Sequence, residues 1–373
     1  MASVLTPRFL FRGFLVFVGI SALGYAGVLL YGNNLQAFLD AAQHIHWGWV
    51  LVGVGLASMD WFGGGLRNWV LVRPFHPNPD LGGMILSGGM GAWAAYLTPM
   101  NSGAGPMTIY AMRRAGVPLP LAVTATLMSF IATVLFFAIA GPLAILLGAG
   151  HSLGNHGNVL GLTLYDLFLG SLGLFVGIGV VLIIVIVFPG LVRDWLHRVA
   201  ARFARKRPKL GARIEKLRAG IDEAHHNVVA FNSPKGWLAL FWATIISGPS
   251  HANKLLAGYV ALRAVGIEAH FVDVLLVQTL ITFLLYFAPT PGASGFAEIL
   301  STTVMASVYL PKELGPLYTL IWRAILSYFT LAFGFVVFSR WVATRASAAR
   351  TPGDDHALDD DDDPMGQGAP AAP

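Results

Sequence analysis

The stretch YFAPTPGASGFAEIL (286–300) follows an apolar run, VDVLLVQTLITFLL (272–285). Two prolines, two glycines and a glutamate therefore stand where a buried helix should continue. A second interruption of the same kind, TPMNSGAGP (98–106), cuts the apolar region 81–116. A non-helical turn at membrane depth is tolerated only where protein or a watery cavity covers it. A re-entrant helical hairpin meets that condition, and the start of its returning half-helix presents free N–H groups that attract anions.

The rest of the chain makes membrane depth the right frame. Of 373 residues, 55% are apolar and 12% charged, and the mean hydropathy is +0.66. Runs approaching the roughly 20 residues of a span recur. Full spans are expected at 14–31, 47–66, 119–148, 165–189, 236–263 and 315–339. The first is read as a retained span rather than a cleaved leader. The net charge of +5 lies between the apolar runs, as cytoplasmic loops require, and gives no reason to expect nucleic acid. With no cysteine, disulfides, thiolate metal sites and a cysteine nucleophile are excluded. No cofactor is expected, and no Walker A pattern points to ATP.

Charge sets the expected topology. Arg8 and Arg12 place the N-terminus inside, and loops 32–46 and 149–164 carry no Lys or Arg and lie outside. Arg73 and Arg113–Arg114 hold both ends of the first interrupted region inside. The densely basic 191–218 is cytoplasmic, so the second interrupted region starts and ends outside. Arg340, Arg345 and Arg350 return the chain inside. External Arg263 and Lys312 are offset by Glu268, Asp273 and Glu313.

Two hairpins from opposite faces imply an inverted repeat, about 47–148 and 236–339. A gapless shift of 190 residues pairs Trp47 with Trp237, Arg73 with Arg263, Tyr96 with Tyr286, Pro99 with Pro289 and Gly105 with Gly295. Identity across the overlap is near chance, and the argument rests on the coincidence of the breaks. The expected fold is all-α and polytopic: about six full spans plus two re-entrant hairpins, over a membrane domain 1–342. That domain includes a basic cytoplasmic segment 191–235. The tail 343–373, with seven aspartates near its end, is expected to be disordered.

TPMNSGAGPMTIYAMRRAGVPL (98–119) resembles the first signature of the lysylphosphatidylglycerol synthase transmembrane region, the flippase-like domain family. APTPGASGFAEIL (288–300) resembles its second signature, and LIWRAILSYFTLAFGF (320–335) its arginine-bearing helix. The resemblance covers about 10–340 and implies a stand-alone lipid-translocating domain without an aminoacyl-transferase.

Ionisable residues inside spans are costly and face the bundle interior. Asp60 precedes Gly63-Gly64-Gly65, which are expected to bend span two. His251 and Lys254 share a helix face in span five, Glu298 lies on the returning half-helix, and Arg323 lies two turns into span six. One reading makes these a polar cavity: Lys254 and Arg323 hold a lipid phosphate, and Glu298 or His251 carries a proton. The other is internal pairing, such as Glu298 with Arg323. The hairpin tips add Asn101, Ser102, Gly103 and Gly105 on one side and Pro289, Pro291, Gly292, Ser294 and Gly295 on the other.

Plainer readings cover the remainder. The glycines of GGMILSGGMG (82–91) suit close helix packing. Aromatics 47, 49, 61 and 69 suit membrane interfaces, and 191–218 suits either an amphipathic surface helix or a plain loop. His151 and His156 lack the partners of a metal site.

The expected function is movement of an anionic, aminoacylated or polyprenyl-linked lipid between leaflets of the inner membrane, with both termini cytoplasmic. Homo-oligomerisation stays open. The rival is an enzyme: a transferase on a lipid-linked substrate, or a serine hydrolase through Ser294. The hydrolase needs a histidine base, which only His251, from an earlier span, is placed to supply.

Overall fold

The structure is a computed structural model that describes residues 7–32, 35–144, 158–159, 162–206, 222, 225–226, 228–229, 231–286 and 288–348. The acidic end of the tail, His151 and His156 lie outside the described residues. The chain divides into two compact units, Met1–Leu331 and Ala332–Pro373. In the second, the described residues form the end of a helix. The candidate site lies in the first.

The described chain is all-helical, apart from a two-residue ladder that pairs Asn158–Val159 with Leu162–Thr163. In order the helices are α1 (Pro7–Gly32), α2 (Leu35–Gln43), α3 (Trp47–Ala57), α4 (Met59–Val72), α5 (Leu81–Tyr96), α6 (Ala104–Arg114), α7 (Leu119–Ala144), α8 (Leu164–Val187) and α9 (Pro189–Lys206). They continue with α10 (Pro234–Ser250), α11 (Ala252–Ala264), α12 (Phe271–Tyr286), α13 (Phe296–Val308), α14 (Gly315–Arg323) and α15 (Phe329–Ala348). Among the described residues three helical stretches are long and apolar enough to cross a membrane: Trp47–Val72, Leu119–Leu143 and Gly315–Trp341. A fourth candidate, Leu172–Ile184 with Pro189–Arg202, is bent by 102°. Phe11–Gly27 and Phe271–Tyr286 are shorter apolar helices. This is a membrane protein.

Local chemistry explains where elements start and stop. The Asp80 carboxylate accepts from Gly82 N at 3.2 Å and Gly83 N at 2.7 Å, which caps α5. Ser233 Oγ accepts from Gly236 N at 3.2 Å, and Pro234 opens α10 where no N–H is needed. The expected span 236–263 is not one straight helix. It breaks at His251 (φ −110), next to Pro249, whose missing N–H weakens the ladder. The break in the second expected span lies at Ser58, whose Oγ donates to Gly55 O at 2.6 Å, and not at Gly63–Gly65, which are helical.

Those glycines serve packing. A Cβ on Gly65 would lie 2.3 Å from Ile85 Cα, and one on Gly88 2.3 Å from Gly65 N. Helices α4 and α5 thus touch backbone to backbone, the close approach that drives association where lipid removes the hydrophobic drive. Gly65→Ala is expected to cost about 1–3 kcal/mol through overpacking, seen as a lowered unfolding midpoint in detergent. Trp61, read as an interface anchor, is instead 3% exposed, and its ring fills the space beside Gly89.

The two broken helices lie side by side. Helix α3 packs on α11, and α4 packs on α10, so they run in opposite directions. Each is followed by a helix, a break and a returning helix: α5, 97–103, α6 and α12, 288–295, α13. Further pairings match in kind: α4 with α5 and α11 with α12; α6 with α7 and α13 with α14; α4 with α7 and α11 with α14. The buried side chains form two main groups along the same lines, one around Leu71, Met84, Met128 and Leu240, the other around Leu262, Leu276, Leu280 and Trp322.

Helix α9 begins the basic segment. Its Arg193 Nε donates to Asp222 Oδ1 at 2.6 Å, and His197 Nε2 to the same oxygen at 3.1 Å. These bonds hold the Asp222 carboxyl below the usual carboxylate range. The bend before Pro189 and the outward Leu191 and Trp195 fit a helix lying along a surface.

Candidate functional site

The two breaks meet. Pro99–Asn101 packs against Pro291–Ala293, and both carry the same backbone turn. A threonine in extended conformation (Thr98, Thr290) leads to a proline, then to two residues at positive φ: Met100 at 52° and Asn101 at 55°, Gly292 at 55° and Ala293 at 54°. Serine and glycine follow in each (Ser102-Gly103, Ser294-Gly295). The equivalent residues lie 192 apart, not 190, so Pro99 corresponds to Pro291 and Gly103 to Gly295. The shift by 190 had aligned Pro99 with the wrong proline of Pro-Thr-Pro. Gly292 is required here, since a Cβ would lie 2.8 Å from Tyr96 O of the other break.

Helix α1 closes over this crossing. Its Gly13 touches Leu97 O, its Phe17 lies against Gly292, and its Gly24 lies against Gly295. Ser21, on the same helix, reaches the carboxylate of Glu298.

Glu298 and Arg323 form the first of two buried charge groups, exposed by 0% and 1%. Glu298 is the third residue of α13, so its side chain reaches back to the N–H that opens the helix: Gly295 N donates to Oε2 at 2.7 Å. The other oxygen, Oε1, accepts from Ser21 Oγ and from Arg323 Nε, the latter at 2.9 Å. Arg323 Nη1 donates to Gly292 O at 3.2 Å and Nη2 to Ser21 Oγ at 3.3 Å. Its guanidinium lies 5.3 Å from the Phe17 ring centroid. Every guanidinium nitrogen has a partner, so the pair fastens the second break to α14 and α1. Of the two readings of Glu298 and Arg323, internal pairing is the arrangement found.

The second group centres on Asp60, in the first turn of α4. Its Oδ1 accepts from Lys254 Nζ at 2.7 Å. Its Oδ2 accepts from Tyr96 Oη at 3.0 Å and Thr330 Oγ1 at 3.1 Å. The pair is uneven: the Asp60 side chain is 2% exposed, that of Lys254 18%. Lys254 also lies 5.8 Å from the Tyr96 ring centroid. His251 is buried at the helix break, Nδ1 donating to Ser247 O at 2.8 Å and its ring against Phe137. Lys254 and His251 do not act together: the lysine goes to Asp60, the histidine to backbone.

A single turn of π-helix, Ala324–Tyr328, separates Arg323 from Thr330. It lets one helix serve both groups; such turns gather at functional sites.

The tip residues divide by burial. Pro291, Gly292 and Ser294 are buried, Ser294 at 0%, and its Oγ donates to Pro291 O at 2.8 Å. Pro289 and Ser102 are exposed, while Asn101, Gly105 and Gly295 are half-buried. Gly103 is buried, with its N–H on Thr98 Oγ1 at 2.8 Å.

Four contributors were missed in the sequence: Ser21, Tyr96, Thr330 and Arg67. Arg67 stands one residue past the expected span 47–66. It lies inside α4, donating from Nη1 to Thr133 Oγ1 at 2.7 Å and Ser247 Oγ at 3.4 Å, and among the described residues its buried Nε has no partner. Among the described residues no carboxylate pairs with it. Its place in a run that also holds Asp60 was the available signal.

An all-helical membrane protein with broken helices and buried ion pairs at their crossing is the class these features define. The chain belongs to the family of the lysylphosphatidylglycerol synthase TM region, whose model matches residues 11–334. No curated protein and no solved structure matches it. The family ties the chain to membrane lipid as its partner.

Proposed function

We propose that the chain moves a polar or anionic lipid, or a lipid-linked head group, between the leaflets of the inner membrane. The two breaks are the tips of re-entrant hairpins in an inverted repeat, within about six spans, and both termini are cytoplasmic. The observation that carries this reading is the Asp60–Lys254 pair. Its carboxylate bonds to Tyr96, whose own carbonyl lies against Gly292 of the second break, yet its cation is partly open. Ionisable residues at membrane depth pair with one another and often mark a substrate path. Glu298–Arg323 is the fixed fastening, and Asp60–Lys254 is the exchangeable pair: a lipid phosphate displaces Asp60 from Lys254 as it passes.

The protein is not read as an enzyme. Ser294 Oγ is spent on Pro291 O and buried, which supports translocation over serine hydrolysis. The matched pairings of the two halves support the inverted repeat.

The test is reconstitution. Vesicles that hold the purified chain and a head-group-labelled anionic phospholipid are treated with an impermeant quencher. Labelled lipid should reach the quenched leaflet faster than in protein-free vesicles. Equal rates with anionic, aminoacylated and polyprenyl-linked probes alike would sink the reading.

Topology is tested separately in this cysteine-free chain. Pro118 and Pro311 are exposed and follow the returning helices α6 and α13. On intact cells an impermeant thiol reagent should label Pro311→Cys and spare Pro118→Cys. Labelling of both, or of Pro118→Cys alone, refutes hairpins of opposite sense.

A further inference from the structure

Away from the breaks, α4 and α10 leave a cavity of about 370 Å³ at the end of the helix pair that carries Arg73 and Lys235. Trp69, Val70 and Pro74 line one wall, and Leu238, Trp242 and Ile246 the other. Lys235, Leu238, Trp242 and Ile246 recur at three- and four-residue steps, so they form one stripe of α10. The mouth is basic and the floor apolar. Arg73 and Lys235 are both exposed, and among the described residues neither pairs with a carboxylate. The Arg73 guanidinium lies 4.6 Å from the Trp69 ring centroid, which holds it over the opening. Trp242 and Leu238 are 49% and 58% exposed.

An amphiphile with an anionic head and an alkyl chain matches both parts. Two cations at the mouth suit a phosphodiester, the tryptophans suit the depth of the glycerol backbone, and the stripe suits a chain running along α10.

We propose that this groove is a binding site for an anionic phospholipid of the adjoining leaflet, with phosphate on Arg73 and Lys235 and one acyl chain along Leu238, Trp242 and Ile246. The site does not require that lipid cross the bilayer, so it stands apart from the translocation reading.

The test uses the full chain in nanodiscs of phosphatidylcholine with a minor fraction of brominated lipid. Leu238→Cys carries a small fluorophore in the groove, and Phe130→Cys, outward-facing on α7 and 57% exposed, carries it outside. Brominated phosphatidylglycerol should quench the label at 238 more than brominated phosphatidylcholine does, with a ratio near one at 130. The double change R73Q/K235Q should reduce the preference at 238 by about tenfold or more, as expected for the loss of two cations near the membrane surface. R73K/K235R should keep it. Because both side chains are exposed, the fold should survive either change, and unchanged quenching at 130 would verify that. Equal quenching by the two lipids at 238 in the unaltered pair overturns the site. So does a preference that persists in R73Q/K235Q, or one as large at 130.

Discussion

Glu298→Gln is expected to lower the stability of the membrane domain by about 3–5 kcal/mol, because it leaves Arg323 charged and buried with no counter-charge. Arg323 is 1% exposed, and its other hydrogen-bond partners are the neutral Gly292 O and Ser21 Oγ. The loss should appear as poor expression and a lowered unfolding midpoint. Arg323→Met alone should cost a similar amount, since Glu298 then keeps only Gly295 N and Ser21. The double change E298Q/R323M should be milder than the sum of the two, with a coupling of about 0.5–3 kcal/mol. Additive losses would show that Glu298 and Arg323 are adjacent without supporting each other. A stable single variant with unaltered expression would remove the fastening role altogether.

Asp60→Asn should act differently, on rate more than on folding. Asparagine keeps the shape and still accepts from Tyr96 and Thr330. What it removes is the charge-assisted bond to Lys254, a contact of about 1.5–3 kcal/mol. The partly open lysine then holds a phosphate with no carboxylate to reclaim it. Translocation should fall about tenfold or more, at 1.4 kcal/mol per decade, while anionic lipid retained through purification should rise. Lys254→Met should abolish both movement and retention at this point. If both variants move lipid at the normal rate, the path does not run past Asp60.

Much of this site could be read from the sequence, and its limits have physical causes. Proline and glycine at 98–106 and 288–295 mark breaks because no straight helix accommodates them, and the structure has both. Glu298 with Arg323 was one of two readings, beside a lipid-holding cavity, because lone charges do not survive at membrane depth. Lys254 with Asp60 was not, because the two stand 194 residues apart and nothing local in either span names its partner. The register of the two breaks was off by two residues, because proline positions alone do not distinguish the two prolines of Pro-Thr-Pro. The left-handed pairs at 100–101 and 292–293 do. Arg67 falls just past the expected span 47–66, where a cation usually marks the interface; only tertiary packing puts Thr133 and Ser247 beside it. Ser21 was invisible, since one hydroxyl in an apolar helix carries no signal of its own.

The π-helical turn at Ala324–Tyr328 acts as a phase shifter. In an unbroken α-helix Arg323 and Thr330, seven residues apart, would point only about 20° from each other. One wide turn absorbs an extra residue and opens that angle by about 100° more, so one residue addresses Glu298 and the other Asp60. The angular offset depends on where along the helix the surplus residue is stored. Stored beyond Thr330 or before Arg323, it would bring both side chains back to one azimuth, and a single helix could no longer hold both groups at once. The offset between Arg323 and Thr330 is therefore set by the position of one residue.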